Sequence, residues 1–388
     1  MTDGLLYERE PALAWRRDDL DAFLLWAADL GASDIVLTSG IKPRVRLHGR
    51  WLRVGVRTVE TQASMVPALI ETTRAQDAWA RVQGREFMDY AYEVPLPGTP
   101  WKKRRFRVDA TACRDGNGVG LSIVFRTIPS LPPRMDDLGI EAQLRGALFP
   151  NNGLVLVTGV MGSGKSTTLA AVLREIIETT DKHVLTFEAP TEFDLMSLND
   201  TTGAGAFVVQ SEIGLHLSSF DVAPKNSTRR AADVVLYGEA RDPETVGGMI
   251  EQAEVGTAVY ATAHTPSVAA TPGRVINVFP SDDQPSMAAG FLGAIRLIVQ
   301  QRLLKTCDGK RVAVREWLAF DETMRTEMLS MPLSGLYAYL DRKVHECGMP
   351  LLRSAKRLFD AGIIEETEYV QIVAEKRLEA VAAGGDVA

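Results

Sequence analysis

The stretch LVLVTGVMGSGKSTTLAAVLREII, residues 154–177, constrains this chain more than any other. Leu154–Thr158 is a short unbroken apolar run, the pattern of a strand covered on both faces as in a parallel sheet. Gly159, Gly162 and Gly164 follow, and glycine lets a backbone turn sharply and come close to a ligand. Leu169, Val172, Leu173, Ile176 and Ile177 then recur at the spacing of one helical face. Within this unit Gly159-x-x-x-x-Gly164-Lys165-Ser166 has the spacing of a phosphate-binding P-loop. Unpaired backbone N–H groups and the helix N-terminus receive phosphate oxygens, Lys165 reaches the outer phosphates, and Ser166 can ligate Mg²⁺. The bland alternative is a glycine-rich turn with an exposed lysine, and the flanking strand and helix weigh against it.

Apolar runs continue to alternate with turns and helices. His183–Glu188, Ala206–Val209, Asp233–Glu239 and Thr257–Thr262 read as strands. Asp242-Pro243-Glu244 is a helix start, with a capping aspartate, proline in the first turn and an acid beside it. Glycines at 247 and 248 weaken the middle of that helix. The pattern is a mostly parallel α/β sheet. Lys165, Glu188, Glu239 and His264 each fall at or just past the C-terminal end of an expected strand, the edge where open α/β sheets bind ligands. Singly, such a Glu is an ordinary turn residue and such a His a structural one; together with a P-loop they form a candidate site. Nucleotide hydrolysis needs the phosphates held, charge neutralised and a water oriented. Glu239 is the first choice to act on that water and Glu188 the second.

The segment 1–127 reads as a small α+β domain. A helix is expected over Asp18–Leu30, strands over Asp34–Thr38, Arg44–Leu47, Arg105–Thr111 and Gly120–Arg126, and one or two helices over Ala63–Val82. Trp101–Arg107, WKKRRFR, is a charge run, ordinarily a solvated strand face. As a strand it puts Arg105 and Arg107 on one side and Phe106 on the other. Arg105 and Arg107 could then serve a nucleotide phosphate lying against this surface, and Arg126, at the end of the next strand, is a similar candidate. Prolines cluster over 128–137, which reads as a hinge linker. A helix is expected over Leu138–Phe149, the nucleotide-binding core over 138–280 and a helical region over 281–388, with Met287–Leu304 as one of its helices and a frayed tail from Ala380.

Composition bounds the function classes. At 388 residues the chain suits two or three domains, and 46% hydrophobic with 24% charged residues is ordinary for a globular protein. A net charge of −7 argues against a dedicated nucleic-acid binder. Cys113, Cys307 and Cys347 have neither disulfide-framework nor metal-ligand spacing. The opening MTDGLLYEREPALAW lacks the basic and apolar regions of a signal peptide, and no apolar run is long enough to span a membrane. Membrane association is therefore expected only through partners.

Four runs in order, GVMGSGKST, HVLTFEAPTEF, DVVLYGEARDPET and GTAVYATAHT, resemble the Walker A, acidic, Walker B and histidine motifs of the type II/type IV secretion ATPase superfamily, in its PilT-like branch. GASDIVLTSGIKPRVRLHGRW and VFRTIPS look like that family's PAS-like domain and linker. QSEIGLHLSSF resembles the DotB/TraJ-like group that serves type IVB secretion and IncI-type conjugation. The resemblance implies an α/β, RecA-like P-loop core, a PAS-like α+β domain and a helical C-terminal region. It also implies a homohexamer that uses ATP and Mg²⁺ to work on an inner-membrane secretion, conjugation or pilus machine from the cytoplasmic side. Matched residue by residue, Gly159, Gly162, Ser163, Gly164, Lys165, Ser166 and Thr167 bind nucleotide. Ser166 meets the metal, Glu239 is the catalytic carboxylate, and Glu188 and Glu192 are acids of the acidic motif. His264 senses the γ-phosphate, and Arg107 and Arg126 reach nucleotide from the amino-terminal domain. Ala189 stands where the family carries Asp, and Gly238 where many other P-loop enzymes carry a metal-binding Asp. The alternatives are a RecA-like nucleic-acid translocase and a nucleotide-dependent assembly switch with little turnover.

Overall fold

The computed structural model describes residues 4–7, 9, 14–47, 49–55, 62–116, 118–128, 131–199 and 203–382. The chain divides into two compact units: one of residues 1–131 with 192–194, the other of 132–191 with 195–388. Residues 129 and 130 of the expected hinge and residues 383–388 of the expected frayed tail lie outside the described residues.

The first unit contains β1 (Gly4–Leu5), α1 (Arg17–Asp29), β2 (Asp34–Thr38), β3 (Arg44–Leu47) and β4 (Arg50–Val54). It continues through α2 (Gln62–Thr73), α3 (Ala78–Gln83), β5 (Met88–Leu96), β6 (Thr99–Asp115) and β7 (Gly118–Ile128). Its sheet runs β1-β4-β3-β2-β7-β6-β5. Alternation along the strands sends Ile35, Leu37, Phe106, Val108, Ile123 and Phe125 into a core shared with Leu20, Phe23 and Leu24 of α1. The expected strand Arg105–Thr111 is the middle of the much longer β6, so the charge run is a strand with Phe106 buried beneath its arginines.

The second unit contains α4 (Ala142–Ala147), β8 (Gly153–Thr158), α5 (Lys165–Thr179), β9 (His183–Glu188), β10 (Phe207–Glu212), α6 (Ala223–Thr228) and β11 (Val234–Tyr237). Next come α7 (Pro243–Glu254), β12 (Ala258–Ala263), α8 (Thr271–Ile276), α9 (Gln284–Ala294), β13 (Ile295–Lys305) and β14 (Arg311–Ala319). Four helices close the unit: α10 (Glu322–Ser330), α11 (Leu336–Glu346), α12 (Leu351–Asp360) and α13 (Glu366–Ala382). The sheet order is β10-β9-β11-β12-β8-β13-β14, with every neighbouring pair parallel except β13 and β14.

Every residue of β8 is buried, as its unbroken apolar run requires. Val155 and Val157 face Leu169, Val172, Leu173 and Ile176 of α5 on one side of the sheet. Leu154 and Leu156 share a core with Val246, Met249 and Ile250 of α7 on the other.

Two expectations need correction. Met287–Leu304 was expected to be a helix, but the helix ends at Ala294 and the chain continues as β13, parallel to β8. A run of apolar residues fully covered on both faces has no period that distinguishes strand from helix, and Leu297–Val299 is such a run. The sheet thus extends past residue 280, where the core was expected to stop. The helix expected over Leu138–Phe149 is confined to Ala142–Ala147, after a short turn of 3₁₀ helix at Asp136–Leu138.

The glycines of α7 have a packing reason. A Cβ on Gly248 would lie 2.2 Å from Pro224 Cβ, so only glycine lets α7 rest against α6 at this point. Alanine is the better helix former, but neither the proline ring nor the helix backbone can yield by the distance required. Gly248→Ala is expected to lower the unfolding free energy by ~1–3 kcal/mol, read as a reduced midpoint in urea with unchanged slope; a rise in stability would contradict the packing account.

Candidate nucleotide-binding site

The C-terminal ends of β8, β12, β11 and β9 are neighbours on one edge of the parallel sheet, and the sequence-derived residues follow from them. Gly159 continues β8 with φ +137°, and Gly162 and Gly164 have φ +77° and +84°. The requirement at Gly159 is spatial as well, since a Cβ there would sit 2.3 Å from the carbonyl oxygen of Gln301 on β13. Gly164 caps α5, and Lys165, Ser166 and Thr167 form its first turn. The Lys165 side chain is buried, with Nζ donating to the Gly159 and Val160 carbonyls at 3.0 and 3.1 Å. That excludes a turn carrying an exposed lysine. The lysine thus folds back onto carbonyls of the loop that precedes it.

Glu239 and His264, expected on neighbouring strand ends, approach each other: His264 Nε2 is 3.7 Å from Glu239 Oε1, and both side chains are partly exposed. The backbone holds them there. Ala240 N–H donates to Thr262 O at 2.9 Å, and Thr262 Oγ1 donates to Gly238 O. Gly238 N–H in turn donates to Phe187 O at 2.7 Å, beside Glu188. Glu188 ends β9 and accepts from Thr186 Oγ1 at 2.8 Å and Gln210 Nε2 at 3.3 Å. Its carboxylate is thereby oriented by side chains of β9 and β10. Asp242 caps α7 as expected, accepting from Thr245 N–H at 2.8 Å.

Arg107 and Arg126 belong to the first unit, on β6 and β7, where they are cross-strand partners. Arg107 makes a two-pronged contact with Asp89, at 3.0 Å from Nε and 2.5 Å from Nη2, which raises its pKa further and keeps it charged. Arg126 Nε donates to Asp34 Oδ1 at 2.9 Å. Glu192 groups with the first unit as well.

Gln301 and Arg315, on the paired strands β13 and β14, carry a buried polar cluster directly under the P-loop that sequence reasoning missed. Gln301 Nε2 donates to Ser163 O at 2.7 Å, while its Oε1 accepts from Thr168 Oγ1 and Arg315 Nε, both at 2.9 Å. Glu316, next on β14, accepts from Val268 N–H at 2.8 Å and so fixes the chain just after His264. The available signal was a polar pair, Gln300-Gln301, directly after the apolar run Leu297–Val299.

The family described as type II/IV secretion system protein matches residues 20–341. The chain belongs to that family. The type IV pilus retraction ATPase PilT of Pseudomonas aeruginosa is 33% identical over 320 residues, 82% of this chain and 88% of that protein. Among solved structures, the ATPase DotB of Legionella pneumophila superposes with a TM-score of 0.81 at 33% identity, covering 96% of this chain and all of that one. The pilus retraction motor PilT with bound ADP gives 0.73 at 26% identity, covering 91% and 96%. This secretion ATPase is thus an ATP hydrolase whose second unit has a RecA-like core with a helical C-terminal region. Among its described residues no helix is long and apolar enough to cross a membrane.

Because a side chain at position 159 must displace the backbone of β13, Gly159→Ala is expected to weaken binding of a fluorescent ADP analogue about tenfold or more. Equilibrium titration checks this, and wild-type affinity would show that the loop can relax around the methyl group.

Proposed function

We propose that this secretion ATPase is a hexameric motor that converts ATP binding and hydrolysis into domain movement on a bacterial type IV secretion, conjugation or pilus machine. It would act at the cytoplasmic side of the inner membrane and be held there by its partners. The observation that carries the reading is the Glu239–His264 pair at 3.7 Å on the same sheet edge as the P-loop. A hydrolytic site needs a carboxylate beside the outer phosphate, and a simple binding switch does not.

In this reading the backbone N–H groups of Gly159–Ser166 and the N-terminus of α5 receive the phosphates. Lys165 leaves the Gly159 and Val160 carbonyls for phosphate oxygens. Ser166 Oγ and the oxygens of the nucleotide are hard donors of the kind Mg²⁺ takes, and the ion would neutralise phosphate charge there. Glu239 orients and deprotonates the attacking water. His264, beside it, carries the state of the outer phosphate to the turn that Glu316 fixes. Glu188 supplies a second carboxylate, and Arg107 and Arg126 add positive charge from the first unit. The similarity to PilT, a pilus retraction motor, supports a motor rather than a nucleic-acid enzyme. So does a net charge of −7.

Glu239→Gln keeps size and hydrogen bonding but removes the base. It is expected to lower kcat by about a hundredfold or more while ATP affinity stays within a few-fold. The comparison is made at matched oligomeric state, by phosphate release and nucleotide titration. Equal, near-zero turnover in wild type and variant would sink the motor reading. Strong stimulation of wild type by DNA or RNA would favour a translocase, and a strictly monomeric mass with and without a nonhydrolysable ATP analogue would remove the ring.

A further inference from the structure

The Gln301 side chain has its amide orientation fixed by its surroundings. Arg315 Nε can only donate and Ser163 O can only accept, so Oε1 faces the arginine and Nε2 donates to Ser163 O, while the Thr168 hydroxyl donates to Oε1 as well. Gln301 and Arg315 are each 1% exposed, so no solvent can replace these bonds. Ser163 belongs to the loop and Thr168 to the first turns of α5. One amide therefore holds the two halves of the phosphate cradle at a set spacing.

Arg315 continues the chain of contacts away from the nucleotide. Its Nη2 and Nη1 donate to the carbonyls of Leu138 and Gly139 at 3.1 and 3.3 Å, and Nη1 lies 3.6 Å from Glu141 Oε2. Burial lowers the pKa of the guanidinium and Glu141 opposes the change. A guanidinium stays protonated in such a place and needs every acceptor it has. These acceptors sit in residues 138–141, part of the segment through which the chain enters the second unit. The outer face of α5 grips the same segment. Arg174 donates to Pro132 O, Glu178 pairs with Arg134 at 3.3 Å, and Glu175 pairs with Arg145 at 2.7 Å.

We infer that Gln301 and Arg315 are positioning residues of the ATPase, a buried relay that sets the P-loop for phosphate and links nucleotide occupancy to the order of residues 138–141. The relay acts through other groups and touches no substrate. By linkage, whatever pulls on residues 138–141 changes nucleotide affinity, and nucleotide stiffens that segment in return. The inference rests on nucleotide binding by the P-loop and is independent of the motor reading.

Gln301→Glu separates positioning from general stability. The carboxylate keeps both acceptor bonds and adds charge opposite Arg315, but it turns an oxygen toward the Ser163 carbonyl. In the full chain at matched oligomeric state, the added charge opposite Arg315 offsets the acceptors left unpaired at Ser163, and the melting temperature without nucleotide is expected to stay within ~4 °C of wild type. The dissociation constant for a fluorescent ADP analogue should rise about tenfold, as for a buried acceptor left unpaired. Wild-type affinity, or an affinity loss that only follows a lower melting temperature, overturns the role of Gln301. Arg315→Lys keeps the charge beside Glu141 but cannot serve Gln301 and two carbonyls together. Saturating ADP is expected to slow amide hydrogen exchange over residues 138–148 in wild type and to lose that effect in Arg315→Lys. Slowing that persists in the lysine variant, or is absent from wild type, overturns the link, and this readout stands even if the glutamate variant does not fold.

Discussion

A P-loop binds phosphate only while its backbone N–H groups are held open and convergent, and here the contact that does so is the approach of Gly159 to the backbone of β13 at Gln301. The loop cannot move toward the sheet, because a carbonyl is already there. Nor can it swing away freely, because Gln301 holds Ser163. The glycines permit this geometry, and β13 enforces it. Much of the second unit exists to keep β13 in that place: it lies between β8 and β14, its apolar residues fill both faces of the sheet, and Arg315 closes the polar gap behind it.

The same constraint explains why the chemistry gathers on one edge. Parallel strands end together, and β8, β12, β11 and β9 are hydrogen-bonded neighbours whose C-terminal residues pass directly into the P-loop, His264, Glu239 and Glu188. Short backbone bonds between those ends, from Ala240 to Thr262 and from Gly238 to Phe187, fix their relative heights. Placement of the carboxylates is thus a property of strand register. Only their final orientation is left to side chains such as Thr186 and Gln210.

This division decides what could be read from the sequence. Strand ends are legible because a buried strand is an apolar run and its end is a change of composition, so Lys165, Glu188, Glu239 and His264 could be placed on one edge before any coordinates. The supporting cluster was not legible. Gln301 and Arg315 lie 14 residues apart on antiparallel strands, and Gln301 meets Ser163 and Thr168 at a sequence distance of more than a hundred residues. No local period records such a meeting. Misreading β13 as helix has the same root, since a strand packed on both faces loses the alternation that marks it. In the first unit Phe106 betrayed the facing of β6, but nothing local foretold its length to Asp115.

The arginines of the first unit carry a further consequence. Arg126 is 65% exposed beside Asp34, and Arg107 is 43% exposed beside Asp89. The two pairs differ on the acid side, since Asp34 is buried whereas Asp89 is itself partly exposed and meets Arg107 with both oxygens. Arg315 is the opposite case: buried, with Nε, Nη1 and Nη2 each donating a hydrogen bond, it could not change partners without leaving a charge unpaired in the core. Burial thus separates two kinds of arginine in one chain, partly exposed ion pairs on the sheet of the first unit and a fixed strut beneath the P-loop in the second.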